Sequence, residues 1–565
     1  MTEFPWIKSY PAGVSWDAEL PVMPVPRILD DTAAKWPDHP ALDFMGRKIS
    51  YRELQQLVNR AAKGFQQLGV KPGVHVGLYL PNTPHYVISF FGVLKAGGTV
   101  VNYSPLDGEK VLAHKVEDSQ TDFIVTLNLA ALYPQMAKLL GATRLQKLVV
   151  GNLGEMSGFP DAVHAKLKLA GQLSEVADDD QHLGFMQLLD NDGAFHDYPI
   201  EDVGQAIAVL QYTGGTTGQP KGAMLTHGNL SAACGQMLAS VNGEPKVLHE
   251  GQERVLAVLP LFHIYALTVN MLFGIRLGAE IILHTKFALD AVIQDLTAKK
   301  VTVFPGVPTI YTAIIGYPDI GKFDLSALKF CGSGGAPLPV EVNQQFQRLT
   351  GCRLLEGWGM TETSPTGTFT PLHGKQKAGS CGIPICGVTI RFAGIDEPDR
   401  IVAQGERGEL CISGPNVMKG YWKNPAATAE AMTADGFFRT GDVGYMHEDG
   451  YVYSVDRTKD MILCGGYNVY PRNIEEAIYE HPAVAEVCVI GIDDAYRGQS
   501  PKALITLKQG AAAFTLDELK AFLKDRLGKH EMVQAMDIRA TLPKTPVGKL
   551  SKRELYEEEK RRPAA

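Results

Sequence analysis

Residues 212–222 read YTGGTTGQPKG and closely follow the apolar run AIAVL at 206–210. A buried strand that ends in a loop rich in glycine and threonine offers close backbone approach, free N–H donors, hydroxyl groups and one cation. The order differs from the Walker pattern G-x-x-x-x-G-K-[ST], because Pro220 precedes the lysine and Gly222 follows it. The segment therefore predicts a phosphate-holding loop of a different type.

The flanking sequence alternates between strand-like and helix-like patterns. Residues 49–69 carry apolar side chains at the helical period, and VHVGLYL at 74–80 is typical of a strand. A helix-like stretch at 84–98 then leads to an apolar run at 99–106, and the same alternation returns at 280–304. We therefore expect parallel sheets with helices packed on their faces.

Three further regions differ from this alternation. Residues 152–200 are polar without a sustained period, and we interpret them as a surface excursion. Residues 435–455 indicate a small β-rich unit with two Asp-Gly turns, and 469–492 indicate a helix followed by a strand. We place a domain boundary between them, which predicts a large domain over 1–456 and a compact α+β domain over 457–565.

Composition restricts the class of protein. With 565 residues the chain is too long to fold around a single hydrophobic core, so we expect two or more domains. A net charge of -8 argues against nucleic acid as the main partner. Its eight cysteines form no C-x-x-C pair, which is typical of reduced packing cysteines in a cytosolic enzyme. The apolar stretch 255–275 is interrupted by Pro260, His263 and Asn270, so we expect a buried core segment, with peripheral membrane contact left open.

Eight motifs in register resemble the acyl-adenylate-forming enzymes, and most closely the bacterial long-chain fatty-acid–CoA ligases. The motifs are the loop at 212–222, LPLFHIYAL at 259–267, SGGAPL at 333–338, LLEGWGMTE at 354–362, TGD at 440–442, DRTKDMI at 456–462, GGYNVYPRNIE at 465–475 and PKTPVGKLSKREL at 543–555. The resemblance implies an α/β fold, with a large N-terminal domain of two β-α sheet subdomains plus a β-rich one and a small mobile α+β C-terminal domain. It also implies ATP-dependent activation of a carboxylate to acyl-AMP, followed by capture by the thiol of coenzyme A.

The phosphate-binding residues follow from this reaction. Adenylation requires positioning and charge stabilisation, since a carboxylate attacks the α-phosphate and pyrophosphate leaves. We expect Lys221 to act as a point charge on the phosphates and Glu362 to act in catalysis as the Mg²⁺ ligand. The loop residues expected to hold the β- and γ-phosphates are Thr213, Gly214, Gly215, Thr216, Thr217 and Gly218, with Thr217 also assigned to catalysis.

The resemblance also implies a nucleoside site. Trp358, where the family pattern has tyrosine, can stack its indole on adenine. Asp442 and Arg457 match the positions that bind the ribose hydroxyls. The residues expected to line the purine with Trp358 are Gly335, Ala336 and Pro337, together with Gly357, Gly359 and Thr361 of the same motif as the tryptophan.

The C-terminal domain is expected to serve both half-reactions. Lys549 lies in a loop bracketed by Pro and Gly, and by resemblance it reaches the attacking carboxylate and the α-phosphate as the main catalytic cation. Lys459 corresponds to the hinge about which the domain turns. Gly465, Gly466 and Tyr467 would then line the passage for the pantetheine arm of coenzyme A.

The acyl site is expected around His263, Tyr265 and Leu267, which belong to an apolar helix-like stretch. The leading hypothesis is a ligase for medium- or long-chain fatty acids, because an apolar tunnel contributes about 0.8 kcal/mol per buried methylene. Alternatives are a ligase for aromatic or dicarboxylic acids, an enzyme that loads acyl-AMP onto a carrier protein, and a non-catalytic binding protein. A homodimer is the usual expectation for such an enzyme.

Overall fold

The computed structural model describes residues 4–213, 220–395, 397, 399–457, 460–464, 467–494, 496–545 and 548–561, apart from the side chains of Val455 and Arg457. Within these residues the strands are β1 (Pro40–Phe44), β2 (Arg47–Ser50), β3 (His75–Leu78), β4 (Thr99–Asn102), β5 (Thr121–Leu127), β6 (Lys147–Gly151), β7 (His182–Gly184), β8 (Ile207–Thr213), β9 (Lys221–Thr226), β10 (Arg254–Ala257), β11 (Glu280–Leu283), β12 (Val303–Gly306), β13 (Phe330–Ser333), β14 (Leu354–Gly359), β15 (Thr366–Phe369), β16 (Ile383–Pro384), β17 (Thr389–Ala393), β18 (Gly408–Ser413), β19 (Gly420–Tyr421), β20 (Phe438–Met446), β21 (Val452–Arg457), β22 (Ile462–Cys464), β23 (Tyr467–Val469), β24 (Val484–Asp494), β25 (Gly498–Leu507) and β26 (Ala535–Ile538).

The α-helices of the same residues are α1 (Val25–Lys35), α2 (Tyr51–Gln67), α3 (Pro84–Lys95), α4 (Glu109–Asp118), α5 (Tyr133–Leu140), α6 (Pro160–Leu169), α7 (Phe185–Leu188), α8 (His227–Ser240), α9 (Phe273–Arg276), α10 (Leu289–Ala298), α11 (Pro308–Ile315), α12 (Val340–Thr350), α13 (Pro425–Ala431), α14 (Pro471–Tyr479), α15 (Leu516–Leu523) and α16 (Lys552–Lys560). A π-helix at Ala266–Leu272 precedes α9.

The first large sheet has eight strands in the order β19-β9-β8-β4-β3-β5-β6-β7. Strands β8, β4, β3, β5, β6 and β7 are parallel, whereas β9 returns antiparallel to β8 and β19 pairs antiparallel with β9. The apolar run predicted at 206–210 supplies most of the first part of β8, and Lys221 and Gly222 open β9. The segment 212–222 therefore connects two antiparallel neighbours in this sheet, β8 and β9.

The second large sheet has nine strands in the order β16-β15-β14-β13-β12-β10-β11-β1-β2. Its centre, from β14 to β11, is parallel, so the carboxyl ends of β12, β13 and β14 lie at one edge. An antiparallel four-stranded sheet, β17-β18-β20-β21, forms the β-rich subdomain. The predicted α/β fold with two β-α sheets and a β-rich unit is confirmed.

The C-terminal part forms a separate α+β unit. Its sheet has the order β23-β22-β25-β24, with β26 parallel to β25. Helices α14 and α15 cover this sheet over a hydrophobic core of its own, which includes Ile474, Val489, Ile505 and Leu519. The small α+β architecture is thus as predicted, while the boundary after residue 456 stays a prediction.

Local sequence signals account for the main helices. Helix α2 begins after Ser50, whose hydroxyl accepts a hydrogen bond from the Glu53 N–H at 3.2 Å. Helix α15 begins with a capping box between Thr515 and Glu518. The interpretation of 152–200 as a surface excursion was incomplete, because this segment contains α6, β7 and α7, and β7 extends the first sheet. Strand β7 has only three residues, which is too short for an alternating hydrophobic pattern to be recognised in the sequence. It forms through its pairing with β6.

The apolar stretch 255–275 is buried, as expected, in β10, the π-helix and α9. Among the residues that the structure describes, no helix combines the length and the apolar character needed to cross a membrane. All eight cysteines are buried and free, in agreement with their interpretation as packing residues.

Candidate active site

A cleft of about 2180 Å³ lies where the two large sheets, the β-rich sheet and the C-terminal unit meet. The ends of β8, β13 and β14 contribute to its wall, which is the usual location of ligand sites in α/β sheets. The predicted site residues that line it are Thr213, Lys221, His263, Tyr265, Gly335, Ala336, Pro337, Gly357, Trp358, Gly359, Thr361, Glu362, Asp442 and Lys549. These residues belong to six of the eight motifs, and the other two motifs border the same cleft through Asp456 and Asp460 and through Arg472 and Glu475.

Some predicted residues are not in this set. Leu267 is fully buried and does not line the cleft, and Tyr467 is 61% exposed with its ring 4.9 Å from that of His530. For Arg457 the structure describes only the backbone, which pairs with Asp442 across β20 and β21. The predictions that lie outside the described residues are Gly214, Gly215, Thr216, Thr217, Gly218, Lys459, Gly465 and Gly466.

Trp358 and Asp442, which were predicted to bind the nucleoside, contact each other in the wall of the cleft. The indole N–H of Trp358 donates a hydrogen bond to Asp442 Oδ2 at 2.7 Å, and the Asp442 N–H donates to Thr440 Oγ1 at 3.0 Å. The indole lies over Gly367, where an added Cβ would come within 2.5 Å of the ring. The tryptophan thus presents an aromatic face to the cleft and also orients a carboxylate that can accept hydrogen bonds from vicinal hydroxyls.

Glu362 and Lys221 are connected through Tyr421, a residue that the sequence did not single out. The Tyr421 hydroxyl donates to Glu362 Oε1 at 2.9 Å, and Lys221 Nζ lies 5.1 Å from the centre of the tyrosine ring. Burial and the neighbouring Glu362 carboxylate raise the pKa of Tyr421 above its usual range, so the hydroxyl stays protonated and keeps donating. This contact holds Glu362 beside the lysine of the phosphate loop.

The carboxylate fits a magnesium ion that is also held by substrate phosphates. Mg²⁺ prefers hard oxygen ligands and is usually bound through one or two carboxylates plus phosphate oxygens and water. Glu362 is such a donor at the cleft wall. No group of three or more His, Cys, Asp or Glu side chains that could hold a metal occurs in the part of the chain that the structure describes.

Lys549 reaches from the C-terminal unit into the cleft. The Thr309 hydroxyl, at the start of α11, donates to the Gly548 carbonyl at 2.9 Å, and the Lys549 N–H donates to Thr545 Oγ1 at 3.1 Å. The lysine side chain lies over Gly335, where an added Cβ would be 2.5 Å from Lys549 Cε. Gly335 also has a φ of +80°, so both the conformation and the contact require glycine.

His263 lies beside this lysine in a neutral form. Burial, together with the Lys549 cation, lowers the pKa of His263 to about 3. Its Nδ1 accepts a hydrogen bond from the Tyr265 N–H at 3.3 Å, which assigns the ring proton to Nε2. The Tyr265 hydroxyl in turn donates to the Gly332 carbonyl at 3.0 Å. The histidine is therefore suited to donate a hydrogen bond and not to carry charge.

An apolar wall extends from His263. Met237, Phe262 and Val269 line the cleft there, with Val269 supplied by the π-helix. A π-helix has a wider turn than an α-helix, and residues 265 and 269 both reach the cleft while 267 packs in the core. No sequence signal indicated Met237 or Val269, because the wall forms only when α8 packs against the π-helix.

Glu356 joins the large domain to the C-terminal unit across the cleft. Its Oε1 accepts a hydrogen bond from the Leu338 N–H at 3.2 Å and lies 3.9 Å from Arg472 Nη2 on α14. Arg472 also donates to Glu476 Oε1 at 3.0 Å. Burial raises the pKa of Glu356 to about 7, and the guanidinium opposes part of that rise.

The comparisons with known proteins agree with this geometry. Residues 29–422 match the AMP-binding enzyme family, and residues 473–549 match the AMP-binding enzyme C-terminal domain. A long-chain-fatty-acid–CoA ligase of Bacillus subtilis (strain 168) is 40% identical over 569 residues, with 98% of each chain covered. A feruloyl-CoA synthase of Amycolatopsis sp is 35% identical, covering 92% of this chain and 96% of the relative.

Solved structures show the same fold. ATP-bound MatB from Rhodopseudomonas palustris superimposes with a TM-score of 0.82 at 26% identity, covering 95% of this chain and 99% of that chain. The resemblance inferred from the eight motifs is confirmed over nearly the full length of the protein. The chain therefore belongs to the AMP-binding enzyme family and carries the C-terminal domain of that family.

Proposed function

We propose that this enzyme activates a medium- or long-chain fatty acid with ATP to acyl-AMP and then transfers the acyl group to coenzyme A, releasing pyrophosphate and AMP. The observation that carries this proposal is the position of Lys549. This one cation of the C-terminal unit lies over Gly335 and next to neutral His263, at the start of the apolar wall. A carboxylate bound there meets a positive charge at its polar end and apolar surface along its chain.

In the first half-reaction a carboxylate oxygen attacks the α-phosphorus of ATP and pyrophosphate leaves. Lys549 offsets the charge that builds between carboxylate and α-phosphate, and His263 can donate a hydrogen bond through Nε2. Thr213, Lys221 and the loop at 214–218 would hold the β- and γ-phosphates. Glu362 would hold the Mg²⁺ ion, which neutralises phosphate charge when it is bound.

In the second half-reaction the coenzyme A sulfur attacks the acyl carbonyl carbon, the thiol proton is lost and AMP leaves. In this structure Lys549 of the C-terminal unit lies in the cleft. The second half-reaction therefore requires the C-terminal unit to present a different surface to the acyl-AMP. We infer that residues 457–565 turn about Lys459, and that Gly465, Gly466 and Tyr467 then line the pantetheine passage. The exposed position of Tyr467, away from the cleft, is compatible with such a change.

The acyl substrate is assigned from the wall and from the relatives. Met237, Phe262 and Val269 offer apolar surface, and the relative in Bacillus subtilis is named for long-chain fatty acids. The feruloyl-CoA synthase relative supports an aromatic acid as the second candidate. Pocket depth decides between them, since each further buried methylene contributes about 0.8 kcal/mol.

The proposed function has a direct test. Purified protein is incubated with ATP, Mg²⁺, coenzyme A and a series of saturated acids of increasing length, with aromatic and dicarboxylic acids included, while AMP and thioester are measured. We expect thioester that depends on coenzyme A, with kcat/KM rising along the fatty-acid series. Accumulation of acyl-AMP despite coenzyme A would favour transfer to a carrier protein, and absence of AMP would refute the proposal.

We also propose that the enzyme acts in the cytoplasm and contacts membranes peripherally through α6. Phe159 and Leu169 at its ends are 65% and 89% exposed, and Lys166 and Lys168 are exposed between them. Apolar and basic side chains together suit an anionic lipid surface. Co-sedimentation with anionic vesicles tests the contact, and we expect it to be lost when Phe159 and Leu169 are replaced with serine.

We also propose that the protein forms a homodimer, and light scattering of the purified protein tests this proposal.

A further inference from the structure

The segment that leads to His263 is held by buried polar side chains from the other large sheet. Residues 257–262 follow β10 in the nine-stranded sheet. Four side chains of the eight-stranded subdomain bind the backbone of this segment or support such a bond, and each of them is buried. They are Asn82, Tyr86, Asn102 and Gln211. These four side chains are called the polar relay below.

Asn82 holds the first part of the segment. Its Nδ2 donates to the carbonyls of Ala257 and Leu259 at 3.1 and 2.8 Å, and its Oδ1 accepts from the Leu261 N–H at 2.8 Å. The amide therefore uses both its donor and its acceptor on one loop. This arrangement fixes the backbone up to Leu261 relative to the start of α3.

Gln211, Asn102 and Tyr86 hold the last part. Gln211 Nε2 donates to the Phe262 carbonyl at 2.9 Å, and its Oε1 accepts from Asn102 Nδ2 at 2.8 Å. Asn102 Oδ1 and the Leu261 carbonyl each lie 2.8 Å from the Tyr86 hydroxyl, which shares its proton between them. Every amide group of the relay is satisfied, which makes a buried network of this kind rigid.

Gln211 links the two segments that are expected to bind the two reactants. Gln211 lies on β8 two residues before Thr213, where the phosphate loop begins, and it binds the residue directly before His263. Gln211 and Asn102 also line the cleft. One side chain thus joins the strand that leads into the phosphate loop to the segment that carries the acyl-side histidine.

We propose that Gln211, supported by Asn102 and Tyr86, is a positioning residue for adenylation. It sets the distance between the carboxylate beside His263 and the α-phosphate of an ATP whose β- and γ-phosphates the loop after β8 would hold. The inference rests on the proposed function. Adenylation is sensitive to this distance because the two reactants must approach in line, and a misplacement of about 1 Å can cost on the order of a hundredfold in rate.

The relay should matter far less in the second half-reaction. In acyl-AMP the carboxyl carbon and the α-phosphate are already joined through one oxygen atom, so their separation no longer depends on the protein. A residue with a purely structural role would affect both half-reactions alike. The ratio of the two rates therefore separates positioning from general stabilisation.

The test compares Gln211→Met with Tyr51→Phe. Gln211→Met keeps the volume but removes the bonds to Phe262 and Asn102. Tyr51 is a matched control, since its buried hydroxyl also donates to a carbonyl, that of Ala279 at 2.7 Å, and it does not line the cleft. We measure single-turnover adenylation with a saturated fatty acid and ATP, thioester formation from supplied acyl-AMP, and Tm.

We expect Gln211→Met to slow adenylation by about 10- to 100-fold and to change thioester formation by less than about threefold. Tyr51→Phe should change neither rate by more than about threefold, at a similar loss of Tm. Equal losses in both half-reactions, or an adenylation rate for Gln211→Met like that of Tyr51→Phe, would overturn the proposal. Failure of the unmodified enzyme to form AMP would instead refute the proposed function.

Tyr86→Phe provides a second variant, which like Tyr51→Phe removes only one buried hydroxyl. It should slow adenylation selectively by about 3- to 10-fold, and combined with Gln211→Met its effect should be less than multiplicative, because both act on the same segment. If Gln211→Met fails to fold, the selectivity of Tyr86→Phe decides the question. An adenylation rate equal to that of Tyr51→Phe would refute the relay.

Discussion

At the scale of single residues, the site depends on a lysine and a glycine from different parts of the chain. Lys549 and Gly335 are more than two hundred positions apart, yet the lysine side chain lies where a Cβ of residue 335 would be. Both were predicted as site residues from their motifs. Their mutual contact was not, because no local pattern encodes which glycine a distant lysine will cover.

Replacing Lys549 with alanine should slow adenylation by about 10²–10³-fold, since the cation that offsets charge at the α-phosphate is lost. Thioester formation from supplied acyl-AMP should be retained. The two half-reactions are measured separately by single-turnover assays. Lys544→Ala is the control, because this exposed lysine of the same loop pairs with Glu486 at 2.7 Å, does not itself line the cleft and should change adenylation by less than about twofold. Equal loss in both steps would contradict the role of Lys549.

Replacing Gly335 with alanine should displace Lys549 and slow adenylation by about tenfold or more. The substitution also strains a backbone with a φ of +80°, at a cost of about 1 kcal/mol. Gly351→Ala controls for this strain, because Gly351 has a φ of +72° and open space around its Cβ position. Adenylation assays and urea unfolding of both variants provide the comparison. Similar adenylation rates would show that the lysine contact is unimportant.

At the scale of elements, the π-helix contributes one apolar side chain to the cleft. The sequence indicated an apolar helical segment after His263, and Leu267 was predicted for the acyl pocket together with His263 and Tyr265. In the structure Val269 lines the cleft and Leu267 packs in the core. Helical periodicity could indicate a buried segment, but which face of that segment borders the cleft depends on how the segment packs against the two sheets.

Val269→Phe should narrow the cleft and shift preference toward shorter acids. Losing contact with four methylenes would reduce kcat/KM for the longest acids by about a hundredfold relative to shorter ones. Val269→Ala is the control, because it makes the same side chain smaller. It should retain or extend the preference for long acids. The measurement is a kcat/KM series over saturated acids with both variants. An unchanged length profile in Val269→Phe would show that the acyl chain does not run along the π-helix.

At the scale of the whole molecule, a buried carboxyl group between the large domain and the C-terminal unit makes the stability of the protein depend on pH. Glu356 on β14 faces Arg472 on α14, while Glu476 is the other charged group that contacts the guanidinium. Because burial raises the pKa of Glu356 to about 7 from 4.5, the folded protein retains a proton that the unfolded chain releases. Stability from this group is therefore present below pH 4.5 and is lost as pH rises through 7.

Glu356→Gln should remove this dependence. The free energy of unfolding of the variant, minus that of the unmodified enzyme, should increase by about 2 kcal/mol from pH 5 to pH 8. This follows because one pKa unit corresponds to about 1.4 kcal/mol. Urea unfolding of both proteins at the two pH values measures the difference. Arg472→Gln is the companion variant, because loss of the guanidinium should move the transition of Glu356 to higher pH. A difference that does not vary with pH would contradict the assignment.

The amino-acid sequence alone indicated the main elements and the family, and it predicted a set of site residues of which fourteen line the cleft. Glycine-rich turns, capping residues and hydrophobic periods act between neighbours, and so β8, α2 and α14 and the eight motifs were readable before any fold was known. Tertiary packing alone decided that Lys549 lies on Gly335, that Tyr421 holds Glu362, and that Gln211 joins two sheets. These contacts form between segments far apart in the chain, and their geometry depends on how the sheets and domains pack together.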